Sequence, residues 1–142
     1  MTPKKQKITV LDFIKKKKKN EKITMLTAYD YPMACALDIA GIDAMLVGDS
    51  MGMVVYGEKT TLPVRVEDII RHTQAVARGA KKALVIADMP FMSFALQEDG
   101  LRNAGKMIKI GNANAVKLEG GREREKTIKL MVENGIPVMG HI

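Results

Sequence analysis

The sequence predicts an α/β fold with parallel strands, and three observations carry that prediction. Apolar runs of strand length alternate with longer stretches of helical period, the pattern of successive βαβ units. Three of those runs, "AMLVGD", "ALVIAD" and "AVKLE", end on an acid, which places polar chemistry where the loops of a parallel sheet converge. With 142 residues, 46% of them hydrophobic and 27% charged, the chain is long enough for one sizeable core. Residues 1–142 are therefore read as a single domain with two possible homes, an open doubly wound sheet or a (β/α)8 barrel.

In chain order, "TVLDFIKKKKKN" reads as a short leading helix with Thr9 as its N-cap. "KITMLTAY" follows as the first strand, "DYPMACALDIAG" as a helix and "DAMLVGD" as the second strand. A Gly-punctuated loop, "SMGMVVYGEKTTLPV", leads into the helix "RVEDIIRHTQAVARGA". There Val66, Ile69, Ile70, Thr73 and Ala77 share a face and Gly79 supplies the stop. "KALVIAD" is the third strand. The helix after it, "QEDGLRNAGKMIKIGN", contains Gly100 and Gly105, each costing about 1 kcal/mol relative to Ala, so it either starts late or packs closely against a neighbour. "NAVKLEG", "REREKTIKLMVENG" and "IPVMGHI" complete the series as strand, helix and fifth strand, with no linker or sequence repeat between them.

Composition narrows the function classes. No apolar run approaches the roughly 18 residues of a membrane span, and the opening "MTPKKQKITV" is basic without the apolar segment of a secretory signal, so the expected setting is cytoplasmic. The lone Cys35 lies in a helical apolar stretch and reads as a small core residue. The net charge of +7 owes much to the run Lys15 to Lys19, and three Phe and three Tyr offer little for stacking bases. That run reads as a solvated helix end, and neither a nucleic-acid nor a membrane partner is expected.

The chemistry gathers at the strand ends. "AMLVGD" delivers Asp49, "ALVIAD" delivers Asp88, "AVKLE" delivers Glu119, and "PVMGH" delivers His141 one strand later. In parallel strands of similar register these groups lie on one rim, an oxygen-lined site suited to a hard cation such as Mg2+. Lys117 and Glu119 are two residues apart and point to the same side of the sheet, where the lysine can offset the acids and hold a substrate carboxylate. Ser50 can donate a hydrogen bond from its loop. Each residue also has a plainer role: Asp49, Ser50 or Asp88 as the N-cap of a following helix, Glu119 as part of a Gly-Gly turn, His72 as a surface or packing residue. Met51 and Met53 sit beside the candidate site but read as gap-fillers.

Six segments, "TAYDYPMA", "MLVGDSMGMVVYG", "TTLPVRVEDIIRHTQAVARGA", "ADMPFMSF", "NAGKMIKIGNANAVKLEGG" and "IPVMGHI", together resemble the ketopantoate hydroxymethyltransferase family. The likeness runs in order from about Lys22 to Ile142. It implies a (β/α)8 TIM barrel that binds Mg2+ and transfers a one-carbon unit from 5,10-methylenetetrahydrofolate to 3-methyl-2-oxobutanoate, giving 2-dehydropantoate in pantothenate biosynthesis. By the same resemblance Asp49, Asp88 and Glu119 look like the metal ligands, Asp49, Ser50, Asp88 and Lys117 like the substrate contacts, and His141 like a residue bordering the pocket. A homo-oligomer is also implied.

The chemistry agrees with those roles. Bond formation at the carbon beside a ketone needs a proton removed there, and charge then develops on the keto oxygen, where a cation stabilises it. A barrel usually needs ~250 residues, so the chain reads as the amino-terminal part, truncated to about five strands with a short leading helix. The family's base, a glutamate from a later strand, has no counterpart here: no catalytic base is assigned within this chain, and little transferase activity is expected from it alone. An unpaired last strand is also expected to favour self-association. Two rivals remain: a Mg2+-dependent 2-oxo-acid barrel of the phosphoenolpyruvate mutase or isocitrate lyase type, for which Cys35 sits too early to be the catalytic cysteine, and a non-catalytic basic interaction module using Lys15 to Lys19.

Overall fold

The structure, a computed structural model, describes residues 6–142, so the first half of the basic opening stretch lies outside the described residues. Five strands, β1 (Met25–Thr27), β2 (Ala44–Val47), β3 (Leu84–Asp88), β4 (Ala115–Glu119) and β5 (Val138–His141), run parallel and lie side by side in chain order. That order decides between the two architectures. A doubly wound sheet reverses its strand order at a switch point, whereas a barrel wall adds each strand beside the last.

The helices are α1 (Val10–Lys18), α2 (Tyr31–Ala40), α3 (Met51–Val54), α4 (Val66–Gly79), α5 (Gln97–Lys109) and α6 (Glu125–Glu133). Successive contacts of α2 with α4, α4 with α5 and α5 with α6 make one helical layer. Met45, Val47, Val85, Ala87, Val116 and Leu118 point from the strands into that layer, fully buried. Alternation sends Ala44, Leu84, Ile86 and Ala115 to the opposite face, which in a barrel is the interior. Ile8 and Phe13 pack on this second face, and the Ile8 N–H donates to the Lys82 carbonyl at 2.7 Å. Lys16 pairs with Asp43 just before β2 at 2.5 Å. Together these contacts hold α1 against the amino ends of the strands and leave the carboxyl ends open.

Local details follow from specific side chains. Thr9 is the N-cap of α1, as expected, and its hydroxyl and N–H both donate to Asp12, at 2.7 and 2.9 Å; these bonds hold the Asp12 carboxyl down at about 2. Strand β1 covers only three residues of the expected eight, because the Thr24 N–H and hydroxyl are taken by the Asp43 carboxylate. The expected loop after the second strand contains α3, in which Met51 is fully buried while Met53 is exposed. On α4 the inner face is Ile69, Ile70, Thr73 and Val76, with Ala77 at its margin.

The glycines act through their size. Gly79 ends α4 as expected, without a left-handed φ: it is buried, and a Cβ there would come within 2.7 Å of Ala34 Cβ and 2.9 Å of the Tyr31 carbonyl. Its small size lets α2 and α4 touch. Gly100 likewise faces α6, where a Cβ would come within 2.9 Å of Thr127 Cγ2, so close packing rather than a late start explains it; Gly105 faces open space. We expect Gly79→Ala to destabilise by about 1–3 kcal/mol through overpacking and Gly105→Ala to stabilise by about 1 kcal/mol through helix propensity, both read by denaturant unfolding.

Asp43 supplies a pH test. Burial alone would raise its carboxyl, but hydrogen bonds from Lys16 and Thr24 outweigh burial and hold it below the ordinary value near 3.8. A depressed folded-state value means that the stabilisation is complete above that ordinary value and is lost as pH falls through the lower one. Asp43→Asn should therefore cost about 1–3 kcal/mol at pH 7, with the gap to the unmodified chain narrowing in thermal unfolding near pH 3.

Candidate functional site

Strand register builds one rim at the carboxyl ends of β3, β4 and β5. Asp88 pairs with Lys117 across β3 and β4, and Glu119 pairs with His141 across β4 and β5. Paired residues of adjacent strands project to the same face, and Lys117 and Glu119 share that face by alternation. The contacts follow: Lys117 Nζ donates to both Asp88 oxygens at 2.9 and 3.0 Å and to Glu119 Oε1 at 2.7 Å. His141 Nδ1 lies 2.7 Å from the same Glu119 oxygen.

Charge and burial are unevenly shared. Asp88 is 3% exposed and Lys117 7%, whereas the Glu119 side chain is largely open to solvent. Burial pushes the Asp88 carboxyl up to about 6; the Lys117 ammonium opposes this in part, and the neighbouring Asp49 carboxylate adds to it. Burial also works against the Lys117 charge, but the hydrogen bonds to Glu119 and Asp88 outweigh it and hold the amine protonated. Glu119 is lowered first by Lys117 and then by His141.

Asp49 and Ser50 join the rim from the β2 end. Gly48 makes the approach possible, since a Cβ there would come within 2.8 Å of Ser50 Oγ and 3.7 Å of Asp88 Oδ2. Ser50 occupies the N-cap position of α3 without capping it; its Oγ is 3.0 Å from the Tyr29 hydroxyl instead. Asp49 and Glu119 open onto one cavity of about 320 Å3, walled further by Met89, Phe91, Phe94 and Arg124. The Arg124 guanidinium stacks over the Phe94 ring, 5.3 Å from its centre.

Asp49, Ser50, Asp88, Lys117, Glu119 and His141, the six residues singled out from the sequence for this rim, thus gather at one end of the sheet. Their arrangement differs in one respect from the expected cation cluster: among the described residues no three His, Cys, Asp or Glu side chains stand close enough to hold a metal ion. Lys117 lies between Asp88 and Glu119 and bridges them. Cys35 is a half-buried residue of α2 rather than the core residue expected, and Lys15 to Lys19 form the exposed end of α1 apart from the pairing of Lys16.

Sequence reasoning missed a hydrogen-bonded group beside Ser50. His72, on α4, directs Nδ1 to the Tyr29 carbonyl at 2.5 Å and Nε2 to the Tyr56 hydroxyl at 2.9 Å. The strand-end rule applied to the first strand would have selected Tyr29; no sequence signal ties His72 to it.

A sequential parallel β/α arc with a charged rim at its carboxyl ends defines the class, a (β/α)8-barrel fold. Solved structures agree on the fold. Oxaloacetate acetylhydrolase aligns over 93% of this chain and 52% of its own length with a TM-score of 0.69 at 14% identity, and phosphonopyruvate hydrolase over 83% and 46% with 0.70 at 14%. The family is more specific. The model of the ketopantoate hydroxymethyltransferase family matches residues 7–142, and the chain belongs to that family. It is 54% identical over 138 residues to the 3-methyl-2-oxobutanoate hydroxymethyltransferase of Syntrophus aciditrophicus, covering 96% of this chain and 51% of the relative. The protein of the same name from Clostridium botulinum is 55% identical over 137 residues, covering 96% and 50%. The chain spans about half the length of these curated relatives.

Lys117 gives the sharpest test of the rim. Lys117→Met strands the buried Asp88 carboxylate and should destabilise by about 3 kcal/mol at pH 8. A raised folded-state value means the penalty of burying Asp88 is absent below its ordinary value and grows as pH rises through about 6, so the loss should shrink near pH 5. Adding Asp88→Asn should recover part of the loss at pH 8 in chemical denaturation.

Proposed function

We propose that this rim is the metal and oxo-acid half of a hydroxymethyltransferase site, taking 3-methyl-2-oxobutanoate and a one-carbon unit from 5,10-methylenetetrahydrofolate to 2-dehydropantoate. The observation that carries the reading is charge imbalance: Asp49, Asp88 and Glu119 share one end of the sheet with the single buried ammonium of Lys117. Two negative charges are left over, which one divalent cation neutralises. The donor set is all oxygen, fitting Mg2+ held by Asp49 and Asp88 with Glu119 acting directly or through water. Such an ion supplies Lewis-acid stabilisation of charge on the keto oxygen.

The chain's own residues do the rest of the binding. Lys117 anchors the substrate carboxylate, and Glu119 is the partner it releases, because Glu119 can turn to solvent while Asp88 is buried. Ser50 donates to the oxo acid from a hydroxyl already oriented by Tyr29. Met89, Phe91 and Phe94 give the neighbouring cavity an apolar wall for the co-substrate, so that the two reactants meet face to face. No proton acceptor is assigned to a residue of this chain. The reaction belongs to the cytoplasm, and the exposed Met25 and Leu26 of edge strand β1 favour association with another copy.

Isothermal titration tests the reading: 3-methyl-2-oxobutanoate should bind only with Mg2+ present, and Asp88→Asn should weaken it at least about tenfold. Equal affinity in a chelator sinks it. Deuterium exchange at C3 of the oxo acid should be slow with the 142-residue chain and become fast once a polypeptide supplying the remaining strands is added.

A further inference from the structure

The three residues His72, Tyr29 and Tyr56 come from α4, from the segment between β1 and α2 and from the segment after α3, and His72 touches both of the others. A carbonyl oxygen only accepts, so the Nδ1 that meets the Tyr29 carbonyl carries the proton. In the neutral ring Nε2 is then an acceptor, and the Tyr56 hydroxyl donates to it. The Tyr56 and His72 rings also meet edge to face, with centres 5.7 Å apart. The tautomer is thus fixed from one side by a backbone oxygen and from the other by a phenol.

Tyr29 carries the constraint onward. Its carbonyl is held by His72 while its hydroxyl, at the far end of the side chain, is 3.0 Å from Ser50 Oγ. Ser50 in turn begins α3, whose first backbone bonds run from the Gly52, Met53 and Val54 amides to the Asp49 and Ser50 carbonyls. We propose that His72 is a positioning residue for the oxo-acid site: through its Nδ1–H bond to the Tyr29 carbonyl it fixes the Tyr29–Ser50 hydroxyl pair and the turn that presents Asp49. The part concerning oxo-acid affinity rests on the function proposed above; the part concerning the turn does not.

Three variants separate positioning from packing. His72→Asn keeps a donor where Nδ1 stood; His72→Phe keeps the ring and loses the donor; Tyr29→Phe removes only the hydroxyl that meets Ser50. In amide hydrogen exchange His72→Phe should speed Gly52, Met53 and Val54 about tenfold relative to Val85 and Ile86 of β3, while His72→Asn stays within about threefold of the unmodified chain. Ring nitrogen spectra of the unmodified protein should show the proton on Nδ1. With Mg2+ present, His72→Phe and Tyr29→Phe should each weaken 3-methyl-2-oxobutanoate about tenfold, and His72→Asn should largely restore affinity. The proposal is overturned if His72→Asn and His72→Phe exchange alike at α3, if α3 and β3 amides speed up together, or if the proton sits on Nε2. Failure of the unmodified chain to bind the oxo acid would instead count against the proposed function, leaving the exchange data to decide the role of His72.

Discussion

The ammonium of Lys117 is the interaction on which the site depends. It is 7% exposed, on the face of the sheet opposite the helical layer, and a charge so placed is tolerable only with partners at hydrogen-bonding distance. Register provides them. Asp88 stands across from it on β3, and Glu119 follows two residues later on its own strand. A one-residue slip between β3 and β4 would turn the ammonium into the helical layer against Met107 and Met131 and send Val116 and Leu118 to the opposite face, leaving Asp88 buried without a counter-charge. The ion pair and the apolar alternation therefore specify the same alignment.

The rest of the chain keeps the opposite end of the strands closed and this end open. Ile8 and Phe13 cover the amino side of the inner face, and the Lys16 to Asp43 pair pins α1 there. Small residues make room: at the carboxyl side Gly48 lets Ser50 turn in beside Asp88, and at the end of α4, ahead of β3, Gly79 allows α2 and α4 to approach until backbone meets side chain. The layer of helices is thus drawn tight where no chemistry is needed, and the rim carries the polar groups that a tightly packed core excludes.

Much of this was legible in the residues. The alternation of runs yielded five strands and the helices between them, and acids at the ends of "ALVIAD" and "AVKLE", with Lys117 two positions before Glu119, marked the rim. Thr9 at the N-cap of α1 and Gly79 at the end of α4 stand where the residues place them. What spacing along the chain could not supply are the partners from other segments: Ala34, against which Gly79 packs, and the Tyr29 carbonyl, forty-three residues away, which meets His72.

The sequence by itself determined which faces of the strands are apolar, where each strand stops and which ionisable groups stand at those stops, because periodicity and turn chemistry are local properties of the chain. Tertiary structure decided the rest: that the strands lie in chain order, that Lys117 rather than another group bridges Asp88 and Glu119, and that His72 meets the Tyr29 carbonyl. Those outcomes depend on distances between segments far apart along the chain, which are fixed only when the sheet and its helices pack together.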